Sequence, residues 1–382
     1  MDGWYSLRVA PGMAHYRAEL RERNTVGETT SADDNTEQMP PRMWASPHTI
    51  HEVAKLAGVS ASSVSRALNG HPNVSPHLRA RVEAAVRALE YRPNPAAQTV
   101  RGGSTRLIGF LLDNMVNGPI YASIDHALRA HDYSMLLTNA ESEATPGGAY
   151  LQLLAGRRVD GLLIDSGVAG REQVIDDLIR LQIPAVLFDH ELPPHAPHIS
   201  VVQSDLAGGM RAAVAHLVAV GHRRIGLIGG PEWWWPARER MRAYLAGLHE
   251  AGIAPIPEVI RSVAMSAERA QAETDALLGL AQPPTALIAG GNILLLGVLR
   301  ALQGRACVVG RDLALVGADD LDLTQLYSPP ITVIARDLGL RGEVAVQLLL
   351  ETIRQQRGRA LMLPTTLIVR ESSSRRAGGP TG

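Results

Sequence analysis

From about residue 106 onward, the chain alternates short, continuously apolar runs with segments of helical length. Apolar runs of this kind are typical of parallel strands buried on both faces, and the intervening helices supply the cover. The predicted helices span 119–131, 205–220, 236–252 and 338–357. The predicted strands are "RLIGFLLD", "YSMLLTN", "GLLIDS", "PAVLFDH", "RIGLIGG", "TALIAGG", "LALVGADD" and "ITVIARD".

This alternating region of about 270 residues is large for one sheet, because single hydrophobic cores stop growing near that size. We therefore expect two α/β subdomains around a cleft. Ligands of open α/β sheets bind outside the carboxyl ends of the strands, so the cleft is the expected ligand site.

The segment "VAKLAGVSASSVSRALNG" at positions 53–70 predicts two short helices joined by a tight turn. Thr49 and Glu52 have the spacing of a capping box, and Gly58 ends the first helix. Ser60 is a natural N-cap for the second helix, and Ser75 before a proline opens a third. This order is the helix-turn-helix arrangement.

Positive charge is concentrated in the same module. Residues 48–106 carry eight basic and three acidic side chains, whereas the whole chain has a net charge of -1. Such a local excess favours contact with a polyanion. Short side chains on the outer face of the second helix would let it enter the major groove of DNA, where Arg66 can bind a guanine edge or a phosphate. The alternative is a plain three-helix bundle with a solvated face. The outward positions are Ala61, Ser62, Ser63, Ser65, Arg66 and Asn69.

Motifs of enzymes and exported proteins are missing from the sequence. There is no P-loop, no GxSxG, no glycine-rich dinucleotide turn and no metal-spaced His/Cys cluster, so we expect neither an enzyme nor a cofactor or metal. The single cysteine, Cys307, suggests a reducing compartment, and no apolar window is long enough for a membrane span. Residues 1–20 do not resemble a secretory signal, which favours the cytoplasm. Residues 1–47 are polar and predict a disordered extension, or an untranslated stretch if synthesis begins at Met43.

The segments "TIHEVAKLAGVSASSVSRALNG" and "NVSPHLRARVEAAVRALEYRPNPAAQTVRGGSTRLIGFLLD" resemble the head and hinge of the LacI/GalR family of transcription regulators. The similarity continues through "VVQSDLAGGMRAAVAHLVAVGHRRIGLIGG", "PTALIAGGNILLLGVLRAL", "LALVGADD" and "PPITVIARDLGLRGEVAVQLLL". It implies an N-terminal all-α helix-turn-helix head and an α/β effector domain of the type I periplasmic-binding-protein kind, with two subdomains. The expected boundaries are head 48–93, hinge 94–105, effector-binding and dimerisation domain 106–372 and disordered tail 373–382.

The resemblance implies roles for individual residues of the head and hinge. Ala61, Ser62 and Arg66 occupy base-reading positions. In "NPAAQTVRGG", which begins at Asn94, the family forms a short hinge helix whose leucine wedges into the minor groove. Val100 stands in the place of that leucine, with Ala97 one turn before it; the alternative is simple packing within a linker. Positions that match phosphate-contact or capping residues are Thr49, Ser60, Ser63, Asn69 and Ser75.

In the cleft, the resemblance implies that Arg240 grips a small, sugar-like effector and that Asp319 accepts hydroxyl groups from it. We expect these two residues on opposite subdomains, bridged by the ligand. Gly291 and Asn292 depart from the family's usual Asn-Asp pair, so the effector is expected to differ from the common sugars or this position to serve only structure. Asp319 has an alternative role in a structural pair with Asp320.

Three consecutive tryptophans, at positions 233–235, precede the Arg240 helix. Trp235 is expected either to stack on the effector or to fold onto its own subdomain. Asp113, Asn114 and Asp165 end predicted strands and are further effector-binding candidates. The resulting hypothesis is a homodimeric repressor that binds double-stranded operator DNA under effector control; the alternative is a solute-binding protein of a sugar transport system.

Substitution of Val100 tests the wedge. Val100→Leu should tighten operator binding because a longer side chain opens the base step further, and Val100→Gly should weaken it without changing half-site preference. Electrophoretic mobility shifts with operator DNA measure both effects. Unchanged affinity in both variants would exclude an intercalating role.

Overall fold

The protein is described from a computed structural model, which covers residues 48–68, 71, 73–91, 104–113, 118–140, 156, 159–171 and 173–374. The chain forms two compact units, Met1–Asn94 and Pro95–Gly382. The predicted extension over 1–47, Asn69, Asn94, Ala97, Val100 and Asn114 lie outside the described residues, as do most of the predicted hinge and tail. The prediction that the disordered tail begins at residue 373 is wrong at that position, because Ser373 is buried and its hydroxyl lies 2.6 Å from that of Thr332.

The first unit is a three-helix head. Thr49 and Glu52 form the predicted capping box, Gly58 ends the first helix at φ 64°, and Ser75 caps the third. Seven small or β-branched side chains from all three helices form its core. The helices are α1 (Ile50–Ala57), α2 (Ala61–Leu68) and α3 (Pro76–Ala88).

Arg81 of α3 stabilises the turn between α1 and α2. Its Nη2 donates to the carbonyl oxygen of Ala57 at 2.5 Å, which satisfies a carbonyl at the end of α1. One of the basic side chains counted toward the DNA-binding charge therefore has a structural role.

The second unit contains two six-stranded sheets. All neighbours in the first sheet are parallel, and the second sheet has one antiparallel edge strand. The first sheet, in spatial order, is β11 (Ala360–Leu363), β5 (Ile199–Ser204), β4 (Ala185–Phe188), β3 (Gly161–Ile164), β1 (Leu107–Leu112) and β2 (Ser134–Asn139). The second is β12 (Thr365–Ile368), β10 (Thr332–Arg336), β9 (Ala314–Ala318), β8 (Ala286–Ala289), β6 (Ile225–Gly229) and β7 (Ile260–Ser262).

Each sheet is packed on both faces by apolar side chains, as the continuous apolar runs predict. None of the described helices is both long enough and apolar enough to traverse a lipid bilayer. The helices are α4 (Gly118–Arg129), α5 (Ser166–Ala169), α6 (Val174–Leu181), α7 (Leu206–Ala219), α8 (Trp235–Glu250), α9 (Ala267–Leu278), α10 (Asn292–Gly304), α11 (Asp322–Leu326) and α12 (Leu338–Gln355). Two 3-10 turns lie at Pro257–Val259 and Glu371–Ser373.

All eight predicted strands are present, and the four predicted helices correspond to α4, α7, α8 and α12 with ends shifted by at most two residues. Four strands were not predicted. The strands β7, β11 and β12 are short edge strands, and β5 interrupts its apolar pattern with Ser200, Gln203 and Ser204. The Ser200 hydroxyl lies 2.7 Å from that of Thr352, so a distant helix satisfies this buried polar group.

The first subdomain is built on the first sheet and the second subdomain on the second sheet, and the chain crosses between them three times. Asp205 follows β5 and caps α7, Asp337 follows β10 and caps α12, and Pro364 separates β11 from β12. Asp205 accepts a hydrogen bond from the Thr365 hydroxyl at 2.8 Å, which joins the first and third crossings. These crossings align the carboxyl ends of both sheets toward one cleft.

Helices α9 and α10 pack at very short range at Gly297. A Cβ at this position would lie 2.2 Å from the carbonyl oxygen of Ala267 and 2.7 Å from Cβ of Ala270. Gly304, at the end of the same helix, has no atom within 4 Å of an added Cβ. The two glycines therefore lie in the same helix, but only Gly297 lacks space for a methyl group.

Gly297→Ala should lower the free energy of unfolding of the second unit by about 1–3 kcal/mol, because backbone atoms of α9 must move to admit the methyl group. Gly304→Ala is the matched control and should be neutral or stabilising by up to about 1 kcal/mol, since alanine favours helix. Urea denaturation followed by circular dichroism measures both. Equal midpoints for the two variants would contradict close packing at Gly297.

Candidate functional site

The outer face of α2 carries short side chains and one long one. Ser62 and Arg66 are exposed one helical turn apart, and Ala61 and Ser63 are half-buried. Val64 and Ala67 are buried and hold the opposite face against the rest of the head. A helix with this profile can approach a groove closely while one guanidinium projects beyond it.

The serine hydroxyls at the start of α2 are linked to one another. The Ser60 hydroxyl lies 2.8 Å from that of Ser62 and 2.9 Å from that of Ser63, and it accepts from the Ser63 amide at 3.2 Å. Ser60 thus has the predicted capping geometry, and the cluster stands at the positive end of the helix dipole. Such an end favours a phosphate oxygen.

Arg66 lies along its own helix. Its Nε donates to the carbonyl oxygen of Ser62 at 3.4 Å, and the side chain is exposed. The bond uses Nε and does not involve the outer edge of the guanidinium, which is formed by Nη1 and Nη2. That edge carries the paired donors that bind a guanine or a phosphate.

The other described candidates in the head serve as caps. The Thr49 hydroxyl accepts from the Glu52 amide at 3.4 Å, and the Ser75 hydroxyl accepts from the Leu78 amide at 3.2 Å. The remaining candidates, Asn69, Asn94, Ala97 and Val100, lie outside the described residues.

In the second unit, one arginine joins the carboxyl ends of both sheets. Arg336 is the last residue of β10, and its Nε and Nη2 donate to the two carboxylate oxygens of Asp319, which follows β9. Its Nη1 donates to Oδ2 of Asp189 at 3.0 Å, and Asp189 follows β4 of the other sheet. The guanidinium therefore crosses the cleft.

Further groups complete this buried cluster. Arg341 of α12 donates to Oδ2 of Asp189 at 2.7 Å, and the Ser204 amide donates to its Oδ1 at 2.7 Å. Asn292 donates to Oδ2 of Asp319 at 2.9 Å. Burial by itself raises the pKa of Asp319, but the charge and hydrogen bonds of Arg336 outweigh it and hold the pKa below its usual value. Asp319 is consequently ionised at neutral pH.

Arg240 lies in α8 beside this cluster and is also buried. Its Cζ is 5.7 Å from the ring centroid of Trp234, a cation–π distance. No described residue accepts a hydrogen bond from its Nη1, and none accepts from the indole Nε1 of Trp234. Burial and the nearby Arg336 lower the pKa of Arg240 to about 10, so it remains charged at neutral pH.

The expectation that Arg240 and Asp319 face each other from opposite subdomains is wrong. Both follow strands of the second sheet, β6 and β9, because the chain remains in that subdomain from α7 to β10. The direct bridge between subdomains is instead formed by Asp189 and Arg336. The alternative pairing of Asp319 with Asp320 is not observed, since Asp320 accepts from Arg370 at 2.6 Å.

The three tryptophans have different surroundings. Trp235 begins α8 and is buried, and the ring of Trp234 lies beside Arg240. Trp233 is 53% exposed and extends toward the first subdomain, where a Cβ at Gly170 would lie 3.1 Å from its ring. The tryptophan adjacent to the predicted effector arginine is thus Trp234.

Asp113 and Asp165 end neighbouring strands and interact with each other. Burial and the adjacent Asp165 raise the pKa of Asp113 to about 7. Oδ1 of Asp165 also accepts from the Gly167 amide at 3.1 Å at the start of α5. Their neighbour Asn114 lies outside the described residues.

Asp189, Arg336 and Arg341 were not among the sequence candidates. Asp189 in "PAVLFDH" satisfies the same strand-end criterion as Asp113 and Asp165, so this signal was present. Arg336 closes "ITVIAR" in the same way, whereas Arg341 lies inside a helix and has no local signal.

Two protein families match separate parts of the chain. Residues 49–94 match the family described as "Bacterial regulatory proteins, lacI family", and residues 214–373 match the periplasmic binding protein-like domain. The first range contains the three-helix head, and the second contains α8, β9, β10 and α12.

Sequence similarity to known repressors extends over most of the chain. The lactose operon repressor of Escherichia coli (strain K12) is 32% identical over 333 residues, which are 86% of this chain and 91% of that protein. The HTH-type transcriptional repressor PurR of Haemophilus influenzae (strain PittEE) is 31% identical over 338 residues, or 85% and 98% of the two chains.

Solved structures of known regulators are also similar to most of the chain. A lac repressor dimer bound to operator and the anti-inducer ONPF superimposes with a TM-score of 0.73 at 29% identity, covering 86% of this chain and 99% of that one. The transcriptional regulator CelR in complex with cellobiose gives a TM-score of 0.63 at 29% identity, covering 85% and 99%. The chain therefore belongs to the lacI family, with a helix-turn-helix head and a type I periplasmic-binding-like domain, and it is a DNA-binding transcriptional repressor rather than an enzyme.

Proposed function

We propose that α2 reads a specific operator and that a small molecule in the cleft between the two subdomains controls operator affinity. The observation that carries this proposal is the buried ionic cluster at the cleft, where Arg336 binds Asp189 of one subdomain and Asp319 of the other. We further propose the boundaries expected from the sequence: head 48–93, hinge 94–105 and effector-binding and dimerisation domain 106–372.

The surface of α2 supports direct reading of bases by Arg66, with Ala61 and Ser62 allowing close approach. Ser60, Ser63 and the cap residues Thr49 and Ser75 are proposed to contact phosphates or to order the helix ends. Asn69 and the hinge residues Asn94, Ala97 and Val100 remain proposed DNA contacts on the resemblance alone.

The cleft supports an allosteric role because the ion pair between Arg336 and Asp189 exists only while the carboxyl edges of the two sheets stay together. A ligand that binds one arrangement of the subdomains more tightly than another shifts the balance between them. Arg240, Asn292 and Asp319 are proposed to bind this ligand, with Trp234 beside Arg240. Asp113, Asn114 and Trp235 remain proposed contributors.

Two relatives support a sugar-like effector and a dimer. One solved relative is described as a complex with cellobiose, and the lac repressor structure is described as a dimer bound to operator. We propose that this chain acts as a homodimer on a two-fold symmetric operator, since protein symmetry and half-site symmetry correspond in helix-turn-helix proteins. Because its proposed partner is operator DNA, we also propose that it acts in the cytoplasm.

Arg66→Ala should lower operator affinity about 10- to 100-fold and relax base preference at one position of each half-site, because a bidentate arginine–guanine contact contributes about 1–3 kcal/mol. Operator sequences are obtained by selecting bound fragments of genomic DNA, and affinity is measured by fluorescence anisotropy. The matched control is Arg87→Ala, which removes the same charge from the exposed surface of α3 and should leave base preference unchanged. If Arg66→Ala keeps the wild-type base preference, α2 does not read the operator through Arg66.

Arg240→Met should abolish the change in operator affinity that an effector causes, because it removes the buried guanidinium beside the cleft. The candidate effectors are substrates of the enzymes encoded beside the selected operator, tested for release or tightening of the complex. Arg242→Met is the matched control: it makes the same change in α8 at an exposed position and should respond as the wild type does. A wild-type response in Arg240→Met would contradict an effector site at this residue.

A further inference from the structure

Asp189 and Asp319 occupy equivalent positions in the two subdomains. Asp189 follows β4, the third strand of the first sheet, and Asp319 follows β9, the third strand of the second sheet. The Asp189 amide donates to the carbonyl oxygen of Val202 at 2.9 Å, and the Asp319 amide donates to that of Ile334 at 3.1 Å. Each subdomain therefore ends its third strand with an acid that the neighbouring strand holds in place.

Both acids also share an uncommon backbone conformation. The angle φ is 43° at Asp189 and 57° at Asp319, in the left-handed region that few residues other than glycine adopt. Such residues cluster at functional sites, where surrounding bonds maintain them. Both carboxylates are only 1% exposed, and both contact the guanidinium of Arg336. The conformation therefore occurs in both subdomains at the two points that Arg336 joins.

Each acid has an arginine on its own subdomain. Arg341, in α12 of the first subdomain, donates to Oδ2 of Asp189 at 2.7 Å. Arg336, in β10 of the second subdomain, donates through Nε and Nη2 to Asp319. Separation of the subdomains breaks the 3.0 Å bond from Nη1 of Arg336 to Asp189 but leaves both of these pairs intact. The cluster can therefore open without leaving a buried charge unpaired, which would be costly.

Two weaker contacts between the subdomains lie at the rim of the cleft. Nη2 of Arg238 in α8 is 3.6 Å from Oε1 of Glu191, which lies in the loop after β4 and is 68% exposed. The ring of Trp233 covers Gly170 at the end of α5, where a Cβ would lie 3.1 Å from the ring. Exposed ion pairs contribute little to stability, so the buried bond of Arg336 is the stronger of these two ion pairs across the cleft.

Acids of both subdomains stabilise the charge of Arg336. Burial by itself lowers the pKa of Arg336, but the charges of Asp319 and Asp189 outweigh it and raise the pKa above its usual value. The contribution of Asp189 acts across the cleft and is lost when the subdomains separate. Attraction between side chains of the chain itself therefore favours the closed arrangement, and this attraction requires no ligand.

We propose that the chain closes its own cleft, with the bond between Arg336 and Asp189 as a reversible latch. The closed arrangement is then the major one without a ligand. A ligand that favours closure changes an already closed population little, so an effective ligand is one that favours the open arrangement. This inference rests on the proposed role of the cleft in operator control and defines the direction in which a ligand moves the subdomains.

The test is amide hydrogen exchange of the full chain, with native mass spectrometry to verify that no small molecule is bound. The amides of residues 168–170 donate within α5, which lies under Trp233. A four-residue helix has few bonds of its own, so protection of these amides depends on the closed cleft. The amides of Leu162 and Thr285, near the amino ends of β3 and β8, are the reference amides that report the stability of each subdomain.

Two variants release the latch from opposite sides. Arg336→Lys keeps the charge but lacks the planar fork that reaches two carboxylates. Asp189→Asn removes the charge but keeps an acceptor for the Ser204 amide. Both should accelerate exchange at residues 168–170 on the order of tenfold, because the open arrangement becomes populated, and the reference amides should exchange as in the wild type.

Arg261→Lys is the matched control. It makes the same substitution at another strand arginine, whose partner Glu273 lies in the same subdomain at 2.9 Å, and it should leave exchange at residues 168–170 unchanged. The inference is overturned if these amides exchange equally fast in the wild type and in both latch variants. It is also overturned if the reference amides accelerate as much, since the bridge would then stabilise the fold rather than the closed cleft.

Operator affinity of the same ligand-free proteins distinguishes this inference from the proposed function. If the latch variants open the cleft without changing operator affinity, the latch stands and control through the cleft is wrong. If they do not open the cleft, but a substrate of an enzyme encoded beside the operator still changes the operator affinity of the wild type, the proposed function stands and the latch is wrong.

Discussion

The guanidinium of Arg336 binds a carboxylate from each subdomain, and the geometry of the cleft depends on that bridge. Moving such ions out of water costs several kcal/mol for each ion, so a buried pair is stable only when every remaining hydrogen bond is satisfied. The Ser204 amide, Asn292 and Arg341 supply those bonds at Asp189 and Asp319. The cluster is therefore interdependent: loss of Arg336 would leave Asp319 without its ion-pair partner, and loss of Asp189 would leave Arg341 without one.

This internal pairing determines what the cleft can offer a ligand. The strongest acceptors are bound within the protein, whereas Arg240 and Trp234 keep donors that no described residue uses. In the function proposed above, control of operator affinity depends on how the two subdomains meet, since a ligand can shift an equilibrium only by its difference in affinity between two arrangements. The head contributes a separate surface, where the serines at the start of α2 are linked to one another and Arg66 is the long side chain.

Much of the architecture was predictable because its signals are local. Continuous apolar runs identified eight strands of the second unit, and Thr49, Gly58 and Ser75 marked helix ends in the head. The edge strands β7, β11 and β12 were missed because they are partly exposed, whereas the predicted strands β3, β4 and β8 of similar length are buried throughout. Strand β5 was missed because its buried Ser200 is satisfied by Thr352, which is 152 residues away in sequence.

The sequence by itself determined the kinds of element, their order and the family, because hydrophobic period and capping residues act over a few positions. Only the tertiary structure decided which charged groups meet. Arg240 and Asp319, expected on opposite sides of the cleft, lie on the same subdomain, and Asp189 and Arg336 form the bridge instead. The physical reason is the three chain crossings, which bring strand ends from distant parts of the sequence to one edge. Which side chains form a buried ion pair depends on that proximity, and no local sequence pattern predicts it.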